Sequence, residues 1–122
     1  MISGFATAEG TARYRDRFSK LRDAGHFRRP QAVPGVGELW LSSLGLGTYL
    51  GEASEQVDAQ YRQAIATALR SGINLLDTAI NYRHQRSERV IGTALAELFA
   101  AGELRRDEVL GCTKAGFLAF DG

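Results

Sequence analysis

The sequence has few of the features that mark secreted, membrane or nucleic-acid-binding proteins. Its 122 residues include one cysteine, so an intramolecular disulfide is excluded and a reducing, cytoplasmic environment is favoured. That residue, Cys112, lies in an apolar stretch and is predicted to be a small core residue rather than a reactive thiol. No apolar run approaches the roughly 18 residues that a membrane helix needs. A net charge of +1 provides no field to attract nucleic acid or an anionic membrane. We therefore expect a cytoplasmic protein that binds neither.

Residues 1–38 are predicted to form a helix and part of a hairpin. Apolar residues recur at helical spacing between Thr11 and Ala24, and Gly25 follows as a residue that readily ends a helix. Residues 1–10 show no clear period and are expected to be irregular. A Pro-Gly-Val-Gly turn at residues 34–37 precedes a short strand-like segment, Glu38–Leu41, and this order favours a hairpin.

Residues 39–122 alternate between strand-like and helix-like segments. Short strands are predicted at Leu44–Leu46, Ile73–Thr78 and Val109–Thr113. One helix between them is predicted to be capped by Ser54 and to end at Gly72, and the next is predicted to be capped by Ser87 and to end at Gly102. This alternation predicts an α/β fold built from parallel βαβ units with right-handed crossovers.

Two of these predicted strands end on polar residues suited to chemistry. The apolar run of the middle strand stops at Asp77, and Tyr82 follows in the next loop. The last strand runs into Lys114. Because the carboxyl ends of parallel strands meet at one rim of a sheet, an acid, a phenol and an amine are expected to face each other there.

An arginine cluster follows Tyr82 and has two interpretations. Arg83, Arg86 and Arg89 could bind an anionic substrate, or they could pair with Glu88 and other acids at the surface. Surface pairing is the more common arrangement, and we favour it. No metal site is predicted.

Four segments resemble motifs of the aldo-keto reductase family. They are LGLGTY at residues 44–49, SGINLLDTAINY at 71–82, SERVIGTAL at 87–95 and RRDEVLGCTK at 105–114. The family fold is a (β/α)₈ TIM barrel whose bottom is closed by an N-terminal hairpin. The resemblance, which covers about two thirds of the chain, implies an N-terminal hairpin and about three parallel strands alternating with two helices. Since such barrels have roughly 250 residues, we expect an incomplete N-terminal portion, with the first three barrel strands in residues 39–122.

The resemblance also implies a catalytic group. Asp77, Tyr82 and Lys114 match three of the family's four catalytic residues by motif position, and the fourth, a histidine, is expected beyond Gly122. A phenol is a weak acid at neutral pH, and an adjacent ammonium favours its ionised form. Tyr82 is therefore the expected general acid, with Lys114 beside it and Asp77 pairing with Lys114. The loop after Tyr82 carries about three more residues than the commonest family pattern.

Cofactor and substrate contacts follow from the same motifs. Thr48 and Asp77 match positions near the nicotinamide, and Tyr49 stands where the family often has a tryptophan in the substrate pocket. The family mostly uses NADP, and NAD is not excluded. The expected substrate is a small carbonyl compound or alcohol whose identity stays open, as does the oligomeric state. An alternative is a non-catalytic relative that binds a nucleotide or a partner protein.

Overall fold

A three-stranded parallel sheet with two long helices forms the main part of the protein, and a two-stranded antiparallel ribbon precedes it. The computed structural model describes residues 2–117. In chain order its helices and strands are α1 (Ala8–Asp16), α2 (Ser19–Asp23), β1 (Phe27–Arg28), β2 (Leu41–Ser42), β3 (Leu46–Gly47), α3 (Glu55–Arg70), β4 (Leu75–Asp77), α4 (Arg86–Ala100), a 3₁₀ turn (Arg106–Glu108) and β5 (Leu110–Cys112).

The parallel sheet has the order β3-β4-β5, with α3 and α4 as the crossovers between successive strands. Gly47 of β3 and Cys112 of β5 both lie opposite Asp77 of β4. The three strands therefore end at the same edge of the sheet. The predicted α/β class, with three parallel strands and two alternating helices, is confirmed.

The predicted cap of α3 is confirmed. The Ser54 hydroxyl accepts a hydrogen bond from the Val57 amide at 3.3 Å, and Glu55 and Asp58 place negative charge in the first turn, where the helix dipole favours it. Gly72 ends the segment with a φ of +97°. Both ends of α3 therefore match the prediction, with Ser54 as the N-cap and Gly72 after the last turn.

The predicted cap of α4 is wrong. Gln85, with a φ of +69°, is the N-cap, and its side chain makes no capping hydrogen bond. Ser87 lies one residue inside the helix and is fully buried. Its hydroxyl donates to the Thr48 carbonyl at 2.6 Å, because α4 packs directly against the end of β3. The serine thus joins two elements instead of beginning one.

The core lies between the sheet and the helices, and α1 contributes one large side chain to it. The buried apolar residues of this cluster are Tyr14, Phe27, Ile65, Leu69, Leu76, Val90, Ile91, Ala94, Leu95, Leu98, Leu104 and Val109. Tyr14 is 1% exposed, and its hydroxyl donates to the Leu69 carbonyl at 2.5 Å. Burial raises the pKa of this phenol.

The single helix predicted from Thr11 to Ala24 is instead two helices. The first begins at Ala8, earlier than expected, because the Thr7 hydroxyl accepts a hydrogen bond from the Gly10 amide at 2.9 Å. Phe18 interrupts the helix with a φ of −115° and a ψ of 63°. At that break its ring packs 5.0 Å from the ring of Tyr14. Gly25, with a φ of +77°, follows the second helix as predicted.

The antiparallel pairing near the N-terminus is confirmed, with a shift along the chain. Phe27 lies opposite Ser42, and Arg28 lies opposite Leu41. The second arm is therefore Leu41–Ser42 rather than Glu38–Leu41, since residues 31–38 are used in turns. The proposed division of the chain after residue 38 stays a prediction.

Helix α1 packs against the 3₁₀ turn that precedes β5. The Thr7 amide donates to the Asp107 carbonyl at 3.1 Å. Glu108, which is 2% exposed, accepts hydrogen bonds from Arg13 Nε at 3.0 Å and from Arg17 Nη2 at 2.7 Å. These charge-assisted contacts attach the N-terminal helix to the bottom of the parallel sheet.

Cys112 is exposed, so the prediction of a buried core residue is wrong. It lies on β5, one of the two edge strands of the parallel sheet in residues 2–117. Within that range no helix is long and apolar enough to cross a bilayer. The same residues contain no group of three His, Cys, Asp or Glu side chains placed to hold a metal ion.

Candidate active site

The ends of β4 and β5 bring Asp77, Tyr82 and Lys114 together. Lys114 Nζ donates to Asp77 Oδ1 at 2.8 Å and to the Thr78 carbonyl at 2.7 Å. The same ammonium lies 3.4 Å from the Tyr82 hydroxyl and 5.0 Å from the centroid of its ring. The three predicted residues therefore form one cluster at the carboxyl edge of the sheet, and their catalytic roles stay predictions.

Backbone hydrogen bonds continue past the strand ends and fix this cluster. The Thr78 amide donates to the Cys112 carbonyl at 2.8 Å, and the Ile80 amide donates to the Lys114 carbonyl at 3.0 Å. Lys114 is thus held as an extension of β5 beside the segment that follows Asp77. Its position depends on the sheet rather than on a free loop.

The ion pair raises the pKa of Lys114 above its ordinary value. The main cause is the hydrogen bond that the ammonium donates to Asp77; partial desolvation opposes this effect, and the contact with Tyr82 adds to it. A cation whose pKa is higher in the folded protein contributes stability below its unfolded pKa and loses it as pH rises through the folded pKa. Lys114 is therefore positively charged throughout the neutral range.

Thr48 lies directly behind Asp77. It is fully buried, and its hydroxyl donates to the Asp77 carbonyl at 3.0 Å. Its side chain therefore supports the end of β4. The predicted role of Thr48 near a cofactor remains a prediction. In this geometry Thr48 would act on a cofactor through the position of Asp77.

Tyr49 stands beside Tyr82 at the rim. Its ring centroid lies 5.0 Å from that of Tyr82 at an interplanar angle of 69°, an edge-to-face contact. Tyr49 is 65% exposed, and Leu50 beyond it is 75% exposed. A cleft of about 410 Å³ opens next to these residues and is lined by Tyr49, Leu50, Gly51, Glu52, Ala53, Arg83 and His84. An exposed aromatic ring beside the Tyr82 ring suits the predicted substrate-facing position, which remains a prediction.

Two of the arginines after Tyr82, Arg83 and Arg86, pair with an acid, as favoured; the acid is Asp58 rather than Glu88, and Arg83 is buried instead of lying at the surface. Asp58 Oδ1 accepts from Arg83 at 2.6 Å, and Asp58 Oδ2 accepts from Arg86 Nε at 3.0 Å. Glu88 instead accepts a hydrogen bond from the Thr113 hydroxyl. Arg89 contacts the Gln85 side chain at 3.4 Å.

Sequence reasoning missed the burial of Arg83 and the role of Asn74. The Arg83 side chain is only 1% exposed, although arginine is usually a surface residue. Asn74, fully buried, donates through Nδ2 to the carbonyls of Trp40 and Glu108 and accepts from the Ser42 amide. The one available signal was an asparagine inside an otherwise apolar strand pattern, since a buried amide needs several partners.

Sequence comparison relates this chain to a family of known reductases. Residues 43–121 match the model of the aldo/keto reductase family. Aldose reductase C of Dictyostelium discoideum is 36% identical over 74 residues, which are 61% of this chain and 21% of that protein. Aldose reductase B of the same organism is 38% identical over 71 residues, 58% of this chain and 21% of the relative. The NADH-specific methylglyoxal reductase of Escherichia coli (strain K12) is 36% identical over 89 residues, 69% of this chain and 26% of the relative.

The matched segment thus spans about a fifth to a quarter of the length of these curated relatives. The family model covers well over half of this chain and includes Asp77, Tyr82 and Lys114. The chain belongs to the aldo/keto reductase family.

Proposed function

We propose that the protein is an NAD(P)H-dependent carbonyl reductase that converts a small aldehyde or ketone to an alcohol in the cytoplasm. The observation that carries this proposal is the position of Lys114 Nζ, which lies 2.8 Å from Asp77 Oδ1 and 3.4 Å from the Tyr82 hydroxyl. An acid, an amine and a phenol in contact are the parts that a proton transfer to a carbonyl oxygen requires.

The residues have separate roles in this proposal. Reduction of a carbonyl develops negative charge on its oxygen, and the Tyr82 hydroxyl donates its proton there. The Lys114 ammonium stabilises the phenolate that remains, and Asp77 keeps Lys114 charged and in place. In the direction of alcohol oxidation, the Tyr82 phenolate accepts the proton. A bound reduced nicotinamide would supply the hydride for carbonyl reduction, and the oxidised nicotinamide would accept it in alcohol oxidation.

The open rim of the site fits such a cofactor. The side chains of Asp77 and Lys114 are 49% and 51% exposed, so the cluster lies open at the rim where a planar ring and a carbonyl compound would bind. Asp77 would contact the nicotinamide end, Thr48 would contribute by holding Asp77 from behind, and Tyr49 would contact the substrate. NADP is the proposed cofactor. NAD is the alternative, because one similar protein is named as NADH-specific.

The proposal assigns activity to a protein in which these strands begin a (β/α)₈ barrel. The relatives are four to five times longer than the segments that match, and the expected catalytic histidine has no counterpart in the four motifs of this chain. Turnover is therefore expected of the full protein that contains this sequence. The 122 residues alone are not expected to oxidise NADPH.

The test compares these two forms of the protein. Cofactor binding is measured by the fluorescence of NADPH and NADH, and turnover by the loss of reduced cofactor in the presence of aldehydes and ketones, with methylglyoxal among them. Carbonyl-dependent oxidation by the full protein is the expected result. Cofactor binding without turnover of any carbonyl compound would contradict the proposal and favour a non-catalytic nucleotide-binding protein.

Replacing Asp77 with asparagine is expected to move the alkaline limit of activity to lower pH. The Asp77 hydrogen bond is the main cause of the raised pKa of Lys114, so its loss lets the ammonium deprotonate at a lower pH. The dependence of kcat on pH, measured from neutral to strongly alkaline buffers, checks this. Asp16→Asn, which changes an exposed carboxylate paired with Arg15, is the control. An alkaline limit of activity at the same pH in wild type and in Asp77→Asn would contradict the role of Asp77 in keeping Lys114 charged.

A further inference from the structure

The Arg83 side chain joins the loop after β3 to the loop that carries Tyr82. Its Nε and Nη2 donate to the Glu52 carbonyl at 3.0 and 2.9 Å. Nη2 also donates to Asp58 Oδ1 at 2.6 Å, and the guanidinium carbon lies 4.8 Å from the centroid of the Tyr61 ring. With 1% exposure, the guanidinium is fixed inside the protein by these contacts.

The backbone at Arg83 is strained. Arg83, His84 and Gln85 have φ values of +49°, +53° and +69°, so three successive residues with side chains adopt the left-handed conformation. Such conformations persist where surrounding contacts determine them, and they concentrate at functional sites. Here the strained segment begins directly after Tyr82. The buried guanidinium of Arg83 is the contact that fastens its first residue.

Asp58 fastens both ends of the same segment. Its Oδ1 accepts from Arg83, while its Oδ2 accepts from Arg86 Nη2 at 2.8 Å. Burial alone would raise the pKa of this carboxyl, but the hydrogen bonds from Arg86 and Arg83 lower it below its ordinary value. Asp58 is thus ionised at neutral pH and bridges the two guanidiniums. We call Arg83, Asp58 and Arg86 the arginine clamp.

The arginine clamp acts on the two aromatic residues at the rim. Tyr82 immediately precedes Arg83, and Tyr49 lies three residues before Glu52, whose carbonyl the guanidinium binds. The Tyr49 and Tyr82 rings are in edge-to-face contact at 5.0 Å. One buried side chain therefore sets the separation of the two loops from which both rings project.

We propose that Arg83 is a positioning residue that holds the Tyr82 hydroxyl opposite Lys114 Nζ and keeps the Tyr49 ring against Tyr82. The proposal rests on the proposed function, because it assigns Arg83 to the same reaction. Arg83 touches neither of the reacting groups and acts through the two tyrosine loops.

The test uses the full protein with Arg83→Met, Arg83→Lys and Arg62→Met. Arg62 joins α3 to α4 through an exposed ion pair with Glu97, so its replacement controls for the loss of an arginine–carboxylate pair on α3 away from the two tyrosine loops. Arg83→Met is expected to lower kcat roughly 10- to 100-fold, the cost of a small misplacement of a catalytic group. Arg83→Lys is expected to retain only part of the kcat that Arg83→Met loses, because an ammonium cannot replace the two-pronged hydrogen bonding of the guanidinium. In a further variant, Arg83→Ala, the truncated side chain leaves room for methylguanidinium, which at concentrations too low to denature is expected to restore kcat. Arg62→Met is expected to match wild type.

A second measurement does not depend on turnover. In protein labelled with 3-fluorotyrosine, the ¹⁹F resonances of Tyr49 and Tyr82 are assigned by their replacement with phenylalanine. Both resonances are expected to shift in Arg83→Met and to stay unchanged in Arg62→Met. Unchanged resonances, or methylguanidinium that restores the melting temperature but not kcat, would overturn the positioning role. If wild type shows no turnover, the proposed function fails alone, and the ¹⁹F comparison still decides on Arg83.

Discussion

Replacing Tyr82 with phenylalanine is expected to lower kcat for carbonyl reduction by about 10²–10⁴-fold, the usual contribution of a general acid. The substitution removes the hydroxyl that lies 3.4 Å from Lys114 Nζ and keeps the ring that contacts Tyr49. Cofactor binding should be retained, because the change does not touch Thr48 or Asp77. Steady-state turnover and NADPH fluorescence, measured on the same preparation, separate these two effects.

Tyr49→Phe is the matched control for this loss. It also removes one phenolic hydroxyl from the same rim, 5.0 Å away between ring centroids, but from a residue that does not contact Lys114 in the described structure. Since Tyr49 is proposed to contact the substrate, its replacement is expected to raise KM, while kcat stays near that of wild type. Equal losses in both variants would show that hydroxyl groups at this rim act through general polarity, and the role of Tyr82 as the acid would then be wrong.

The candidate site could be predicted from the sequence because its residues lie at the ends of regular elements. In parallel βαβ units all strands end at one rim of the sheet, so an apolar strand that stops at Asp77 and a second that leads to Lys114 place both residues at that rim. Pairing of Asp77 opposite Cys112 then brings Lys114 beside Asp77 with no further information. The cap of α3 by Ser54 was predictable for a similar reason, since capping depends on local sequence.

The features that were missed depend on tertiary contacts. Arg83 is buried because Asp58 and the Glu52 carbonyl come from a different element, and nothing in the local sequence around Arg83 indicates them. Ser87 looked like a helix cap, but its hydroxyl binds the Thr48 carbonyl, 39 residues away in the sequence. In each case a polar side chain that would ordinarily face solvent was recruited by a distant backbone group, which local patterns do not predict.

In the N-terminal region, local sequence likewise fails to predict a tertiary contact made at a glycine. Gly10 was placed in an irregular segment, yet it lies within α1 and is buried. A Cβ atom on Gly10 would lie 2.2 Å from the Asp107 carbonyl oxygen and 2.6 Å from its carbonyl carbon. The helix can approach the 3₁₀ turn this closely only where no side chain intervenes. The contact between residues 10 and 107 therefore depends on the absence of a side chain at Gly10, which no hydrophobic periodicity in the sequence reveals.

Gly10→Ala is expected to destabilise the protein by roughly 1–3 kcal/mol, the usual cost of overpacking. The neighbour here is backbone, which cannot rotate away, so α1 must move off the 3₁₀ turn. That movement would also lengthen the hydrogen bonds from Arg13 and Arg17 to the buried Glu108. Urea unfolding followed by circular dichroism gives the change in free energy of unfolding.

Gly92→Ala supplies the control with the opposite expected sign. Gly92 also lies within a helix, α4, but a Cβ there would meet nothing within 4 Å. Alanine in a helix is more favourable than glycine by about 0.5–1 kcal/mol, so this variant should gain that amount. Helix propensity alone predicts a gain for both substitutions. A gain at Gly92 with a loss at Gly10 therefore isolates the contact with Asp107, whereas a gain at both positions would mean that α1 does not pack against the 3₁₀ turn in solution.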